Sequence, residues 1–370
     1  MLTPRGLKHA FSQVAPAAFL GVLPAALLVW AIVLAAHRHQ LAVDFHHELY
    51  PQAQLMLDGK NPFPSPDADL SDATNNIWPV AAVILVLPFA VMPSELADWA
   101  MTAAVVATLV AALFVAGVRD WRVFGVVCYW PPVISAVQTA NLTLPLCLCA
   151  AVAWRARDRG LAPGVAVGLG VAAKLFFWPL VPWLLVRRRV AAAVAAASIA
   201  GASLLLIMPF VGIVDYARLL RNLSNTFDGL GYTLYPLLTD LGVPDHAAKV
   251  AWLALGAAAL AAALSRRSFV LAVGASLLLS PIVWLHFLAL LAVPLAVVRP
   301  QFTPVWLAPM LLWVVPGTGN GATWQTALTL AVLLGLLGYC VRAETAGERG
   351  NGSGALSSGG RAPAAAAGRP

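Results

Sequence analysis

Apolar runs recur along the whole chain, separated by short polar turns. They cover residues 15–36, 78–93, 96–118, 122–137, 141–154, 161–186, 190–212, 248–264, 268–280, 284–298, 303–316 and 323–341. None alternates with period two, so a transmembrane barrel is excluded and helices are predicted. Several runs are too short to cross alone. A 14-residue helix covers about 21 Å, against a hydrocarbon core of about 30 Å. Buried, tilted or broken helices are therefore expected. Two long polar stretches interrupt the pattern, at 37–77 and 213–247. The second carries Tyr216, Phe227, Tyr232 and Tyr235 among polar residues, which suits short amphipathic helices lying in the membrane plane. Residues 343–370, rich in Gly, Ala, Ser and Arg, lack an apolar face and read as a disordered tail.

Basic residues give the runs a direction. They cluster at Arg119/Arg122, Arg155/Arg157/Arg159, Arg187–Arg189, Arg266/Arg267, Arg299 and Arg342. Placing every cluster inside requires that 78–93 be re-entrant or interfacial. It also requires that 161–186 go out and back, turning near Lys174. The result is about 12 crossings with both ends cytoplasmic. The loops 37–77 and 213–247 then lie outside, as do the turns at 138–141, Lys174, 281–286 and 317–321.

Composition agrees. The 370 residues are 61% hydrophobic and 11% charged, against roughly 25% charged in soluble domains. The net charge of +7 resides in the inter-run clusters and is no nucleic-acid footprint. Cys128, Cys147, Cys149 and Cys340 all lie in apolar runs and read as small core residues. No secretory cleavage site follows the first run. The chain is thus an all-α polytopic membrane protein, with residues 1–342 as the membrane domain.

Six of the 16 acidic residues fall in the first long loop: Asp44, Glu48, Asp58, Asp67, Asp69 and Asp72. Asp44 follows the first run closely and is flanked by aromatics. Partial loss of hydration there raises carboxylate basicity and suits a general base; the plainer reading is a helix cap. The adjacent His46 and His47 cannot easily hold one ion from one helix face, and no metal site is predicted. Lys174 lies deep within the apolar run 161–186, and a charge in lipid costs about 2.5–3.5 kcal/mol on insertion scales. Its readings are an anion ligand or a lysine snorkelling at a helix end. His286 opens an apolar run and Asn141 sits at a turn, where each can be a site residue or a plain interface or cap residue. Nucleotide and dinucleotide motifs, the Gly-x-Ser-x-Gly elbow and a soluble domain that could hold a nucleotide are missing.

Taken in order, these segments resemble glycosyltransferase family 87. Asp44-Phe45 is followed by Tyr50, and Leu57 to Phe63 is similar to the family's "L-x-G-x-x-P-Y". Trp78-Pro79 looks like its aromatic-Pro-Pro segment, with Val80 in place of the second proline. Gly168 to Pro179 resembles "G-l-a-a-x-l-K-x-x-P", one residue longer and bulkier through Phe176, Phe177 and Trp178. Gln138 to Asn141 retains only the Asn of "G-Q-x-N". Asn222 to Gly242 is similar to the family's "N-x-S" outer loop, and Ser280 to His286 looks like "S-P-x-x-W-x-H".

The resemblance implies a GT-C-like membrane fold and an inverting sugar transfer at the outer face of the plasma membrane. The donor would be a polyprenyl-phosphate sugar, with mannose or arabinofuranose as the sugar. The acceptor would be a lipid-linked envelope glycolipid or a glycan. Asp44 would be the base, with Lys174 and His286 on the donor phosphate. Tyr50, Asn61, Trp78, Asn141 and Trp284 would line the substrate site. Neither a metal nor a cofactor is required. The alternatives are a transporter or lipid flippase, whose ionisable groups usually sit near the midplane, and a non-catalytic membrane partner.

Overall fold

The computed structural model describes residues 17–71, 77–317 and 321–357, with side chains to 346. The architecture is all-helical, without strands among the described residues. Among the described residues four helices are long and apolar enough to cross a membrane: Ala18–His37, Ser94–Ala116, Asp245–Arg266 and Thr323–Ala346. Pro131–Gln138 and Thr143–Arg155, bent by 118°, together could make a fifth. These lengths do not confirm the expected 12 or so crossings, several of them short or re-entrant. The remaining apolar runs form helices of 7–16 residues, such as Val80–Ala90, Ala162–Ala173 and Leu180–Val186. The last helix is continuous to Ser357, past the start of the expected tail at 343; residues 358–370 lie outside the described residues.

The long helices turn apolar side chains outward. Phe19, Trp30, Leu96, Phe114, Val250 and Leu253 are all exposed, as expected of surfaces that face lipid. Asp245–Arg266 buries only small residues, Ala248, Gly256 and Ala263. A Cβ on Gly256 would stand 2.5 Å from Leu279, so this helix approaches its neighbour through its missing side chains.

Thr143–Arg155 is the central element. It packs against Ser94–Ala116 on one side and Ala162–Ala173 on the other. Trp130, Trp183 and Trp306 anchor the core. Each indole N–H meets a backbone carbonyl: Trp130 reaches Trp306, Trp183 reaches Arg267, and Trp306 reaches Arg299. Broken helices leave carbonyls without intrahelical donors, and here buried tryptophans supply donors.

The two long loops share a smaller core. Ile213–Thr226 is a short amphipathic helix that buries Tyr216 and Leu219. They meet Phe63, Leu70 and Val80 of the first loop and the helix after it. Phe63 makes an edge contact with Tyr216, centroids 5.8 Å apart. Asn222 donates to the Pro66 carbonyl at 3.1 Å, and Asn61 to the Phe210 carbonyl at 3.0 Å.

Candidate active site

Two helix breaks build the site. The first lies between Pro131–Gln138 and Thr143–Arg155, where Ala140 takes a left-handed conformation with φ 49°. The break frees the carbonyls of Gln138 and Thr139. Ala42 N–H donates to Gln138 O at 2.7 Å, and Asp44 N–H to Thr139 O at 3.1 Å. The start of the first long loop is thereby docked on the break. Phe45–Leu49 follows as a single π-helical turn, which places Asp44 and Glu48 on nearly the same face.

The second break is at Lys174. Ala162–Ala173 ends there, Lys174 is extended (φ −146°, ψ 112°), and Leu175–Phe177 resumes as a 3-10 turn. Gly170 makes this turn possible, because a Cβ there would lie 2.4 Å from the Phe177 ring. Two of the three bulky residues that depart from the family motif are thus used in packing, whereas Trp178 is exposed. Phe177 covers Gly170, and Phe176 stacks on Phe287 with centroids 5.0 Å apart.

Between the breaks runs a chain of hydrogen bonds. Lys174 Nζ donates to Asn141 Oδ1 at 2.8 Å, and Asn141 Nδ2 donates to Asp44 Oδ2 at 2.5 Å. Asn141 Oδ1 also accepts from Thr143 N at 3.0 Å and Thr143 Oγ1 at 2.8 Å. Three donors converge on that oxygen, so the amide orientation is fixed and its N–H must face the carboxylate. Lys174 is buried beneath two rings, its Nζ 4.0 Å from the Phe287 centroid and 5.0 Å from that of Trp78. His286, also buried, places Nε2 at 3.9 Å from Asp44 Oδ2 without a hydrogen-bond partner.

Glu48 joins this group, and the sequence reading had passed over it. Its Oε2 accepts the Trp78 indole N–H at 2.7 Å. Both carboxylates lie in the first loop, outside the membrane-spanning helices. Burial raises the Asp44 carboxyl above its ordinary range, while the Asn141 hydrogen bond and the Lys174 charge pull it back. Burial, reinforced by the neighbouring Asp44 charge, pushes Glu48 up to about 8. The four-residue separation from Asp44 was the available signal, since residues so spaced share a helix face.

Of the sequence-predicted residues, Asp44, Trp78, Asn141, Lys174 and His286 come together. Trp284, two residues before His286, makes an edge contact with Phe227, centroids 6.1 Å apart. Its segment is held by Tyr232 N–H donating to Val283 O at 2.7 Å. A Cβ on Gly231 (φ +85°) would meet that same carbonyl at 2.7 Å. Tyr50 and Asn61 do not join. The Tyr50 hydroxyl donates to Met92 O at 2.8 Å, and both ends of the Asn61 amide are engaged, with Phe210 O and Phe63 N. They are structural ties of the loop. His46 is drawn aside to Asp98, 2.8 Å away. Asp58 sits in the turn before Gly59, and Asp67 and Asp69 are exposed; Asp72 lies outside the described residues.

Residues 76–232 match the model of glycosyltransferase family 87. This match supports membership of glycosyltransferase family 87. The matched stretch contains Trp78, Asn141 and Lys174, whereas Asp44, Glu48 and His286 lie outside it and reach the same group through the fold. The match and the apolar helices together support a multi-pass membrane glycosyltransferase. No curated protein and no solved structure matches the chain.

Proposed function

We propose that this family 87 glycosyltransferase moves a sugar, mannose or arabinofuranose, from a polyprenyl-phosphate donor to an envelope glycolipid or glycan, with inversion. The reaction belongs to the outer face of the plasma membrane, within a GT-C-like arrangement of short and broken helices. The observation that carries this reading is the hydrogen-bonded chain Lys174–Asn141–Asp44, with His286 Nε2 facing the same carboxylate.

In this scheme the Asp44 carboxylate takes the proton of an acceptor hydroxyl. The acceptor oxygen attacks the anomeric carbon from the face opposite the phosphate. The bond from that carbon to the phosphate oxygen breaks, and the lipid phosphate leaves with the electron pair. Burial favours the base role, because a desolvated carboxylate is more basic. The leaving phosphate gains negative charge as the bond breaks, so a fixed cation and a hydrogen-bond donor stabilise the transition state more than the ground state. Lys174 is the cation and His286 the donor. Trp78 and Trp284 offer flat surfaces for a sugar ring beside them.

The test is transfer from radiolabelled polyprenyl-phosphate mannose or arabinofuranose by the purified protein in lipid. Wild type is expected to transfer one of the two. Asp44→Asn, which keeps shape and loses basicity, is expected to lose at least about 100-fold, the usual contribution of a positioned base. Full activity in Asp44→Asn would refute the base, and transfer from a nucleotide sugar alone would refute the donor class.

A further inference from the structure

A polar cavity lies at the opposite end of the helices that carry the candidate active site. Thr143–Arg155 begins beside Asn141 and ends at the basic turn holding Arg157. Ala162–Ala173 runs back from there to Lys174. Each covers about 20 Å, so the two regions are separated by roughly that distance. The cavity has a volume of about 450 Å³, and Arg157, Arg187, Arg267, Arg299, Trp154 and Glu344 are among its walls.

Three of these arginines are C-terminal caps of separate helices: Arg187 after Leu180–Val186, Arg267 after Asp245–Arg266, and Arg299 after Ala292–Val298. Basic residues at helix C-termini offset the macrodipole and orient the chain in the membrane. Those roles need no convergence, since each is met by an arginine facing water separately. Here the caps come from elements far apart in sequence and share one cavity.

Among the described residues the counter-charge is small and already engaged. Glu344 caps the start of Phe269–Leu278. It accepts from the Ser268 hydroxyl and, at 3.2 Å, from Phe269 N–H. Asp158, not among the lining residues, lies 3.7 Å from Arg157 and 3.8 Å from Arg187, but 2.8 Å from Arg189. Arg267 has no side-chain partner among the described residues. Burial, aided by the Arg187 and Arg155 charges, holds Arg157 below its ordinary value against the opposing pull of Asp158 and Glu344.

We infer that this arginine-walled cavity is a binding site for a phosphate group, borne by an anionic lipid headgroup or free in solution. Guanidinium forks match phosphate oxygens in pairs, and basic pockets between membrane helices are suited to anionic headgroups. Tryptophan at the rim, with Arg157 stacked over the Trp154 ring at 3.9 Å, suits the interfacial level of a bilayer.

The test uses the purified full chain and two probes: vesicles of phosphatidylcholine with or without phosphatidylglycerol, and inorganic phosphate. Native mass spectrometry would report retained phosphatidylglycerol, and thermal shift would report phosphate. Arg267→Gln/Arg299→Gln is expected to lose at least tenfold in affinity for the probe that wild type binds, and Arg267→Lys/Arg299→Lys to retain part of it. Lys174→Met, at the other end of the helices, is expected to leave that binding unchanged. Retention of phosphatidylglycerol identifies the lipid source, and a shift with phosphate alone identifies the free anion. Unchanged binding of both probes in a Gln/Gln variant that melts like wild type would overturn the assignment. So would binding that follows Lys174, or no binding of either probe by wild type.

Discussion

Asn141 Nδ2 lies 2.5 Å from Asp44 Oδ2, joining residues 97 positions apart. The contact couples a helix break to the loop that follows the first membrane helix. It also makes Asn141 the intermediary between a carboxylate and a buried lysine, which therefore need not touch.

Asn141→Ala should remove both connections at once. Lys174 Nζ and the Thr143 hydroxyl lose an acceptor, and a buried group without a partner costs about 1–3 kcal/mol. The expected result is a lower melting temperature with transferase activity down about 10-fold or more. Asn141→Asp should be worse for activity than for folding, because it sets a second negative charge against Asp44. Melting curves beside single-turnover rates would separate the two effects.

Glu48 makes stability depend on pH in an unusual direction. Its carboxyl is raised from 4.5 to about 8 in the fold. Between these values the folded chain binds more protons than the unfolded one, so stability is present below pH 4.5 and is lost as pH rises towards 8. Glu48→Gln should flatten that decline, so that thermal unfolding at pH 5 and pH 8 differs less than in wild type.

Lys174→Met should raise the Asp44 and Glu48 carboxyls further, since the lysine charge lowers both. The acidic limb of the activity profile should therefore move to higher pH, and the maximal rate should fall through loss of the phosphate contact. Lys174→Arg should restore the charge and part of the pH profile, though the larger guanidinium fits poorly between Trp78 and Phe287. A full pH–rate profile of the three proteins checks this.

Gly170→Ala should disturb the site without touching it. Its Cβ would fall 2.4 Å from the Phe177 ring, and overpacking of this kind costs about 1–3 kcal/mol. Phe177 must move, and the turn at Lys174 with it. Activity should fall along with stability, and Gly170→Ala/Phe177→Leu should recover part of both.

Much of this protein was legible in sequence because lipid imposes strong local rules. A run of apolar residues marks a helix whatever its neighbours, and a polar residue inside such a run is costly enough to signal a break or a site. The turns at 138–141 and at Lys174 followed from those rules together with the basic clusters, whereas Asp44 and His286 gained weight through the family resemblance. Helix lengths and partners did not follow from the rules. Among the described residues, runs that suggested about 12 crossings hold four or five helices of spanning length and many short ones, and carbonyls freed at breaks are satisfied by segments distant in the chain. Tyr50 and Asn61, placed in the site by motif, are held elsewhere by backbone carbonyls at Met92 and Phe210. Glu48 looked like one loop acid among six until the fold brought the Trp78 indole to it. Hydropathy records which side chains avoid water. Only the packed structure decides which polar groups, once removed from water, find each other.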